Sequence, residues 1–170
     1  MTPMSSEALS ALATRVGAQL KAQGAMLATA ESCTGGWVAQ VVTDIAGSSG
    51  WFERGFVTYS DAAKQEMLGV SAATLAAHGA VSEQTAREMA AGALARSRAQ
   101  IAVAITGIAG PTGGSLEKPV GMVCFAWAGS KGAIAARTRH FDGDRESVRR
   151  QSVMFALQGV LTLLEGAARR

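Results

Sequence analysis

The 170-residue sequence is poor in the residues from which disulfide frameworks, metal sites and aromatic cores are built. Its two cysteines, Cys33 and Cys124, have no C-x-x-C spacing, and its two histidines, His78 and His140, lie in no ligand-spaced cluster. We therefore expect a reducing compartment and no metal. Aromatic residues make up only 5% of the chain, which favours close packing of helices on a sheet over a core of large rings.

The sequence also lacks any run of roughly 20 apolar residues, and no basic region leads into an apolar one at the N-terminus. We expect a soluble, unsecreted, cytoplasmic protein with no membrane partner. The net charge is +3, and arginines concentrate towards the C-terminus without the aromatic-interleaved pattern of a nucleic-acid surface. A small anionic ligand is therefore favoured over nucleic acid.

The length fits a single domain spanning residues 1–170. Hydrophobic periodicity and turn residues predict helices over 7–21, 37–45, 61–68, 72–77 and 83–97 and a long terminal helix from about residue 144. The predicted strands are 25–30, 56–59, 101–105, 120–128 and 133–141. This order predicts a three-layer α/β domain with a mixed, mostly parallel sheet, a C-terminal hairpin and a long terminal helix.

One candidate site is the turn that follows the first predicted strand, Glu31-Ser-Cys-Thr-Gly-Gly36. Ligands of open α/β sheets bind at the carboxyl ends of strands, and a helix N-terminus offers free N–H groups. Ser32 is therefore suited to attack a carbonyl carbon while backbone donors hold the oxyanion. The alternative is that Ser32 or Thr34 only caps the helix that begins near Gly35.

A second candidate is the pair Tyr59 and Lys64, five positions apart where the second predicted strand meets a helix. A lysine can serve as base for a serine nucleophile when burial or a neighbouring cation lowers its pKa. A nearby tyrosine hydroxyl could relay the proton. The alternative is a solvated helical lysine beside an ordinary strand tyrosine.

Two further segments are suited to ligand binding. The glycine-rich loop 106–114 is neither a P-loop nor a dinucleotide-binding motif, but its amides could approach a phosphate or carbonyl oxygen; otherwise it is a surface loop. Arg145 could bind a phosphate at the start of the last helix, or lie solvated while Asp144 caps that helix.

Cys33 is a competing nucleophile, because a cysteine at a helix N-terminus has a lowered pKa. Such a mechanism needs a histidine partner, and neither histidine lies in a segment with the features of a site. A cysteine nucleophile is therefore the less favoured alternative.

Together these segments resemble the CinA C-terminal domain family. The motifs follow one another in family order over nearly the whole chain, and jointly they are highly specific. They are A-E-S-C-T-G-G (30–36), D-I-A-G-S-S (44–49), G-F-V-T-Y-S-D-A-A-K (55–64), G-A-V-S (79–82), T-G-I-A-G-P-T-G-G (106–114), K-P-V-G (118–121) and F-D-G-D-R (141–145).

The resemblance implies deamidation of nicotinamide mononucleotide to nicotinic acid mononucleotide and ammonia, without a cofactor, as a step of pyridine nucleotide recycling. It implies Ser32 as nucleophile, Lys64 as general base and Tyr59 as its helper. The substrate-binding residues it implies are Cys33, Thr34, Gly35, Ser48, Thr106, Gly107, Gly110 and, for the phosphate, Arg145. The expected partners are this nucleotide and further copies of the chain in a homo-oligomer.

The sequence also departs from the family in two ways. Longer members carry an additional N-terminal domain associated with a pyrophosphatase activity, which we expect to be absent here. Asp61 stands where many relatives have asparagine, and its charge would favour the protonated form of Lys64 if the two side chains meet. The alternatives to a metal-free amidase are a nucleotide-binding or regulatory module without turnover and a metal-dependent amidase.

Overall fold

The computed structural model describes residues 5–169. The helices are α1 (Ser6–Ala22), α2 (Trp37–Thr43), α3 (Asp61–Leu68), α4 (Ala72–His78), α5 (Glu83–Ala95) and α6 (Arg145–Ala168). The strands are β1 (Leu27–Glu31), β2 (Phe52–Val57), β3 (Ile101–Gly107), β4 (Met122–Gly129) and β5 (Ile134–His140), and a short 3-10 helix, Ser48–Gly50, precedes β2. Over these residues, no helix combines the length and the apolar character needed to cross a bilayer.

The five strands form one mixed sheet in the order β2-β1-β3-β4-β5. β2 and β3 pair with β1 in parallel, whereas β4 pairs antiparallel with both β3 and β5. All strands except β4 therefore run in one direction. The prediction of a three-layer α/β domain with a mixed, mostly parallel sheet, a C-terminal hairpin and a long terminal helix is confirmed.

The carboxyl ends of β1, β2 and β3 lie side by side. Glu31, the last residue of β1, is in register with Val57 on β2 and Ile105 on β3. The Thr58 amide donates to the Glu31 carbonyl at 2.9 Å, and the Ser32 amide donates to the Ile105 carbonyl at 3.0 Å. The first residues of two loops are thus fixed at the edge where α/β proteins bind ligands.

The two faces of the sheet differ in side-chain size. One face packs against α1, α2 and α6 through branched and aromatic strand residues, which are Leu27, Val103, Ile105, Val123, Phe125 and Trp127. The other packs against α3 and α5 and is almost entirely alanine: Ala28, Ala30, Ala102, Ala104, Ala126, Ala128 and Ala136. Close packing on small side chains was the expectation from composition, and it holds for the alanine face. It is wrong for the first face, where the rings of Phe125 and Trp127 stack 5.8 Å apart.

The second strand differs most from its predicted bounds. The sequence pattern predicts 56–59, whereas β2 spans Phe52–Val57. β2 is an edge strand that carries Glu53 and Arg54, whose side chains pair at 2.7 Å. Charged residues on edge strands hinder pairing with other chains. Here they interrupt the apolar pattern, so the sequence pattern predicted only the end of this strand. The other predicted helices and strands differ from the observed ones by a few residues at their ends.

Helix α6 approaches Trp127 of β4 closely at a glycine. The Trp127 indole N–H donates to the Ala156 carbonyl at 2.9 Å, which holds the ring against the helix. A Cβ atom at Gly159 would lie 2.1 Å from that ring. Gly166 is in the same helix, and a Cβ atom there would have nothing within 4 Å.

We predict that Gly159→Ala lowers the free energy of unfolding by about 1 to 3 kcal/mol, because the added methyl displaces a ring that is also hydrogen-bonded. Gly166→Ala is the matched control and should leave stability unchanged or raise it by up to about 1 kcal/mol through helix propensity. Urea unfolding of both variants measures the difference. Equal stabilities would show that the Trp127 contact does not require glycine.

Candidate active site

Ser32 and Lys64 meet at the carboxyl edge of the sheet. The Lys64 ammonium donates to the Ser32 hydroxyl oxygen at 3.0 Å and to the Thr58 carbonyl at 2.9 Å. Ser60 caps α3 by accepting the Ala63 amide at 3.0 Å, which fixes the helix turn that carries the lysine. Lys64 is 1% exposed and Ser32 8% exposed, so the pair is shielded from bulk water.

Burial sets the electrostatics of this pair. Desolvation lowers the pKa of Lys64 below its ordinary value of 10.5, and the negative charge of Asp61 offsets part of this shift. Asp61 is exposed and forms no ion pair with Lys64. The shift is in the direction that a lysine base requires, because a neutral amine can accept the serine proton.

The turn after Ser32 presents unpaired backbone donors. The Gly35 amide donates to the Ser32 carbonyl at 2.9 Å and closes the turn, while Gly35 and Gly36 have φ of +59° and +99°. The amides of Cys33 and Thr34 donate to no oxygen in the described part of the chain. Backbone N–H groups without an oxygen acceptor, in the two residues that follow a serine, are available to an oxyanion.

Glu31 binds the first turn of α2, the helix that follows the serine turn. The sequence analysis assigned no role to this residue. Its carboxylate is 1% exposed and accepts the amides of Val38 at 2.9 Å and Ala39 at 3.1 Å. Burial raises the pKa of Glu31, and these hydrogen bonds counteract the rise. The signal in the sequence was an acidic residue between a buried strand and a helix N-terminus, which is where a carboxylate can satisfy free amides.

Arg145 and Tyr59 contact each other rather than Lys64. The Arg145 guanidinium donates to the Tyr59 hydroxyl at 3.0 Å and to the Gly110 carbonyl at 2.8 Å. Tyr59 is 62% exposed, and its hydroxyl is not hydrogen-bonded to Ser32 or Lys64. The structure therefore brings together Tyr59, Arg145 and the glycine-rich loop as a second group beside the serine and lysine.

A cavity of about 570 Å³ opens beside the serine turn. Its lining residues include Gly35, Gly36, Trp37, Arg145 and Arg149. Ser32 and Lys64 do not line it. The cavity is therefore suited to an anionic group that lies next to, and not at, the reacting atoms.

The cysteine alternative is not supported. The Cys33 side chain points into the hydrophobic core, and burial raises the pKa of its thiol to about 12, far above that of a reactive cysteine. His78 and His140 are both exposed, and neither is hydrogen-bonded to the thiol. Within residues 5–169, no group of three or more potential metal-ligating His, Cys, Asp or Glu side chains occurs.

The glycine-rich loop starts next to the serine. Thr106 follows Ile105, whose carbonyl accepts the Ser32 amide, and its buried hydroxyl donates to the Ala80 carbonyl at 2.7 Å. Gly107 ends β3, in register with β4, and the Gly110 carbonyl binds Arg145.

Ser48 lies away from this group. It sits just before β2 at the amino-terminal edge of the sheet, where the Trp51 carbonyl accepts the Leu27 amide at 2.8 Å. β2 runs from there to the carboxyl edge, a distance of about 16 Å at 3.3 Å per residue. Helix α2 returns the chain to the amino-terminal edge, so Ser48 and Ser32 lie at opposite edges of the sheet within one chain.

The fold and the site together define a three-layer α/β protein with a buried serine–lysine pair at the carboxyl edge of its sheet. The chain belongs to the CinA C-terminal domain family, which matches residues 9–164.

The chain is also similar to individual proteins and to a solved structure. The chain is 61% identical over 155 residues to the nicotinamide-nucleotide amidohydrolase PncC of Escherichia coli strain K12, covering 91% of this chain and 94% of that protein. It is 50% identical to the protein of the same name from Pseudomonas putida, covering 91% and 96%. The crystal structure of the competence/damage inducible protein CihA from Agrobacterium tumefaciens superposes with a TM-score of 0.89 at 50% identity, covering 91% and 94%.

We predict that Lys64 makes stability depend on pH. Between its lowered native pKa and 10.5, the unfolded chain holds a proton that the native protein does not, so the free energy of unfolding rises with pH. One such group contributes at most about 1.4 kcal/mol per pH unit. Lys64→Met should remove this contribution, as measured by urea unfolding at a series of pH values up to 10.

The control is Lys21→Met, which removes an exposed lysine of α1 and should keep the slope of the parent protein. Parallel pH profiles for the parent protein and the Lys64 variant would contradict a lowered native pKa.

Proposed function

We propose that the protein hydrolyses the carboxamide of nicotinamide mononucleotide to nicotinic acid mononucleotide and ammonia, with Ser32 as nucleophile and Lys64 as general base. The 3.0 Å hydrogen bond between the two side chains carries this proposal. The names of the Escherichia coli and Pseudomonas putida relatives supply the substrate class.

In the proposed reaction, neutral Lys64 takes the proton of the Ser32 hydroxyl as its oxygen attacks the carboxamide carbon. The oxyanion of the tetrahedral intermediate accepts hydrogen bonds from the amides of Cys33 and Thr34. Lys64 returns the proton to the departing nitrogen, and ammonia leaves an acyl-serine. Water, deprotonated by the same lysine, then attacks the ester, and Lys64 returns that proton to the Ser32 oxygen as the ester C–O bond breaks.

The hydrogen bond from Arg145 to Tyr59 leaves the tyrosine able to act as a donor in the proposed reaction. Since the tyrosine oxygen accepts from Arg145, the hydroxyl hydrogen remains free to be donated. We propose that Tyr59 donates to the departing nitrogen or to a water that connects it with Lys64. We also propose that Thr106, Gly107 and Gly110, in the segment that ends β3 and continues into the glycine-rich loop, contact the substrate.

The phosphate of the substrate would occupy the cavity beside the turn. A phosphate monoester carries close to two negative charges at neutral pH, and Arg145 of α6, the residue proposed to bind it, lines this cavity. Glu146 also lines it and adds one carboxylate. Binding at this remote group would place the amide at Ser32 and contribute to rate through orientation.

In a homo-oligomer, Ser48 of one chain could lie close to Ser32 of another. The resemblance assigns a ligand contact to Ser48, yet in one chain β2 separates it from Ser32. We propose that a second copy of the chain supplies that residue.

The proposed function predicts that Ser32→Ala abolishes ammonia release from nicotinamide mononucleotide, because no other hydroxyl among residues 5–169 is hydrogen-bonded to Lys64. Cys33→Ala is the matched control at the adjacent position and should keep most of the activity. Ammonia and nicotinic acid mononucleotide are both measured. If the parent protein were stabilised by the nucleotide but released no ammonia, it would be a binding module and not an amidase.

A second prediction concerns Arg145. Replacement with alanine should lower kcat/KM for the nucleotide by about ten- to a hundredfold, because a charged contact to phosphate is lost. Nicotinamide riboside lacks the phosphate and should show a much smaller loss. Both proteins are assayed on both substrates. Equal fold losses would mean that Arg145 acts through Tyr59 and the Gly110 loop and not on the phosphate.

A further inference from the structure

Arg149 contacts the backbone of the serine turn from helix α6. Its Nε donates to the Cys33 carbonyl at 3.0 Å, and its Nη2 donates to the Thr34 carbonyl at 3.2 Å. The guanidinium lies 5.3 Å from the centre of the Trp37 ring, which restrains its plane. These are the hydrogen bonds that tie α6 to the turn bearing Ser32.

One of these two carbonyls, that of Cys33, belongs to a peptide group that also carries a free amide. In a trans peptide, the C=O and N–H bonds point in opposite directions, and both peptides are trans. The Cys33 carbonyl shares its plane with the Thr34 amide, so Arg149 directs that N–H away from α6. The Cys33 amide is fixed separately, because its plane contains the Ser32 carbonyl that binds the Gly35 amide.

We infer that Arg149 is a positioning residue for the proposed reaction: it orients and polarises the Thr34 amide as an oxyanion donor. This inference rests on the proposed function, since an oxyanion forms only if Ser32 attacks a carbonyl. A cation on the carbonyl oxygen of a peptide increases the positive charge of the N–H in the same plane, which strengthens the donor. Arg149 does this without touching the reacting atoms.

Arg150 provides a matched control within the same helix. Its guanidinium lies 5.1 Å from the centre of the same Trp37 ring, but it pairs with Glu146 at 2.8 Å and contacts no carbonyl of the turn. Arg149 and Arg150 therefore share charge, helix and stacking partner, and differ in the hydrogen bonds to Cys33 and Thr34.

The first experiment separates positioning from phosphate binding. Arg149→Met should lower kcat by about ten- to a hundredfold, somewhat less than the loss of an oxyanion donor itself, with KM changed less than about threefold. The loss should be the same for the nucleotide and the riboside, and Arg150→Met should keep the kcat of the parent protein. A rise in KM confined to the nucleotide would overturn the inference, since Arg149 would then be a phosphate contact.

The second experiment does not depend on the natural substrate. An alkyl fluorophosphonate phosphonylates an activated serine: the Ser32 oxygen forms a bond to phosphorus, the P–F bond breaks, fluoride leaves, and Lys64 takes the proton. The phosphoryl oxygen needs the same amide donors as the oxyanion. Arg149→Met should slow labelling of Ser32 by the same factor as kcat, whereas Arg150→Met should not.

Arg149→Lys is the second variant, in case Arg149→Met does not fold as judged by thermal unfolding. It keeps the charge but not the planar fork, and should fall between the parent protein and the methionine variant. If nicotinamide mononucleotide were not hydrolysed but labelling still depended on Arg149, the proposed function would fail and the inference would stand. Labelling at the parent rate in both Arg149 variants, or no labelling of Ser32 in the parent protein, would overturn it.

Discussion

The burial of one ammonium group determines how this site is built. Lys64 has left water almost completely, and a charged lysine in that position is costly unless its donors are satisfied. The available acceptors are the Thr58 carbonyl and the Ser32 hydroxyl, each at the end of a strand of the parallel part of the sheet. The same desolvation that costs stability favours the neutral amine. The burial of Lys64 therefore accounts both for its hydrogen bonds to Thr58 and Ser32 and for the lowering of its pKa.

The core packing places that lysine. The alanine face of the sheet lets α5 approach closely, and at Gly92 the helix lies so near to α3 that a Cβ atom would be 1.9 Å from the Leu68 carbonyl. Leu68 is at the end of the helix whose first turn carries Lys64. On the opposite face, α6 fixes the serine turn through arginine. Serine and lysine are thus brought together by helices on different faces of the sheet.

The sequence predicted the fold well because its strands and helices have clear periods and caps. It missed the first four residues of β2, because the charged side chains of Glu53 and Arg54 interrupt the apolar pattern of this edge strand. Ser32 and Lys64 were candidates from their positions after strands, although only the family resemblance chose them over a cap and a solvated lysine. Glu31 and Arg149 were not assigned, because their partners are backbone groups and, for Arg149, lie more than 100 residues away in sequence. The distant place of Ser48 also depends on the path of α2, which no local motif reveals.

Cys33 lies next to Ser32 in the sequence, and the burial of its thiol determines how it reacts with oxidants and electrophiles. Peroxides and electrophiles react with thiolates, and a buried thiol with a pKa of about 12 holds almost no thiolate at neutral pH. A serine hydroxyl is not oxidised by the same agents. The turn that bears Ser32 therefore contains a cysteine whose thiol is protected by burial from oxidants and electrophiles.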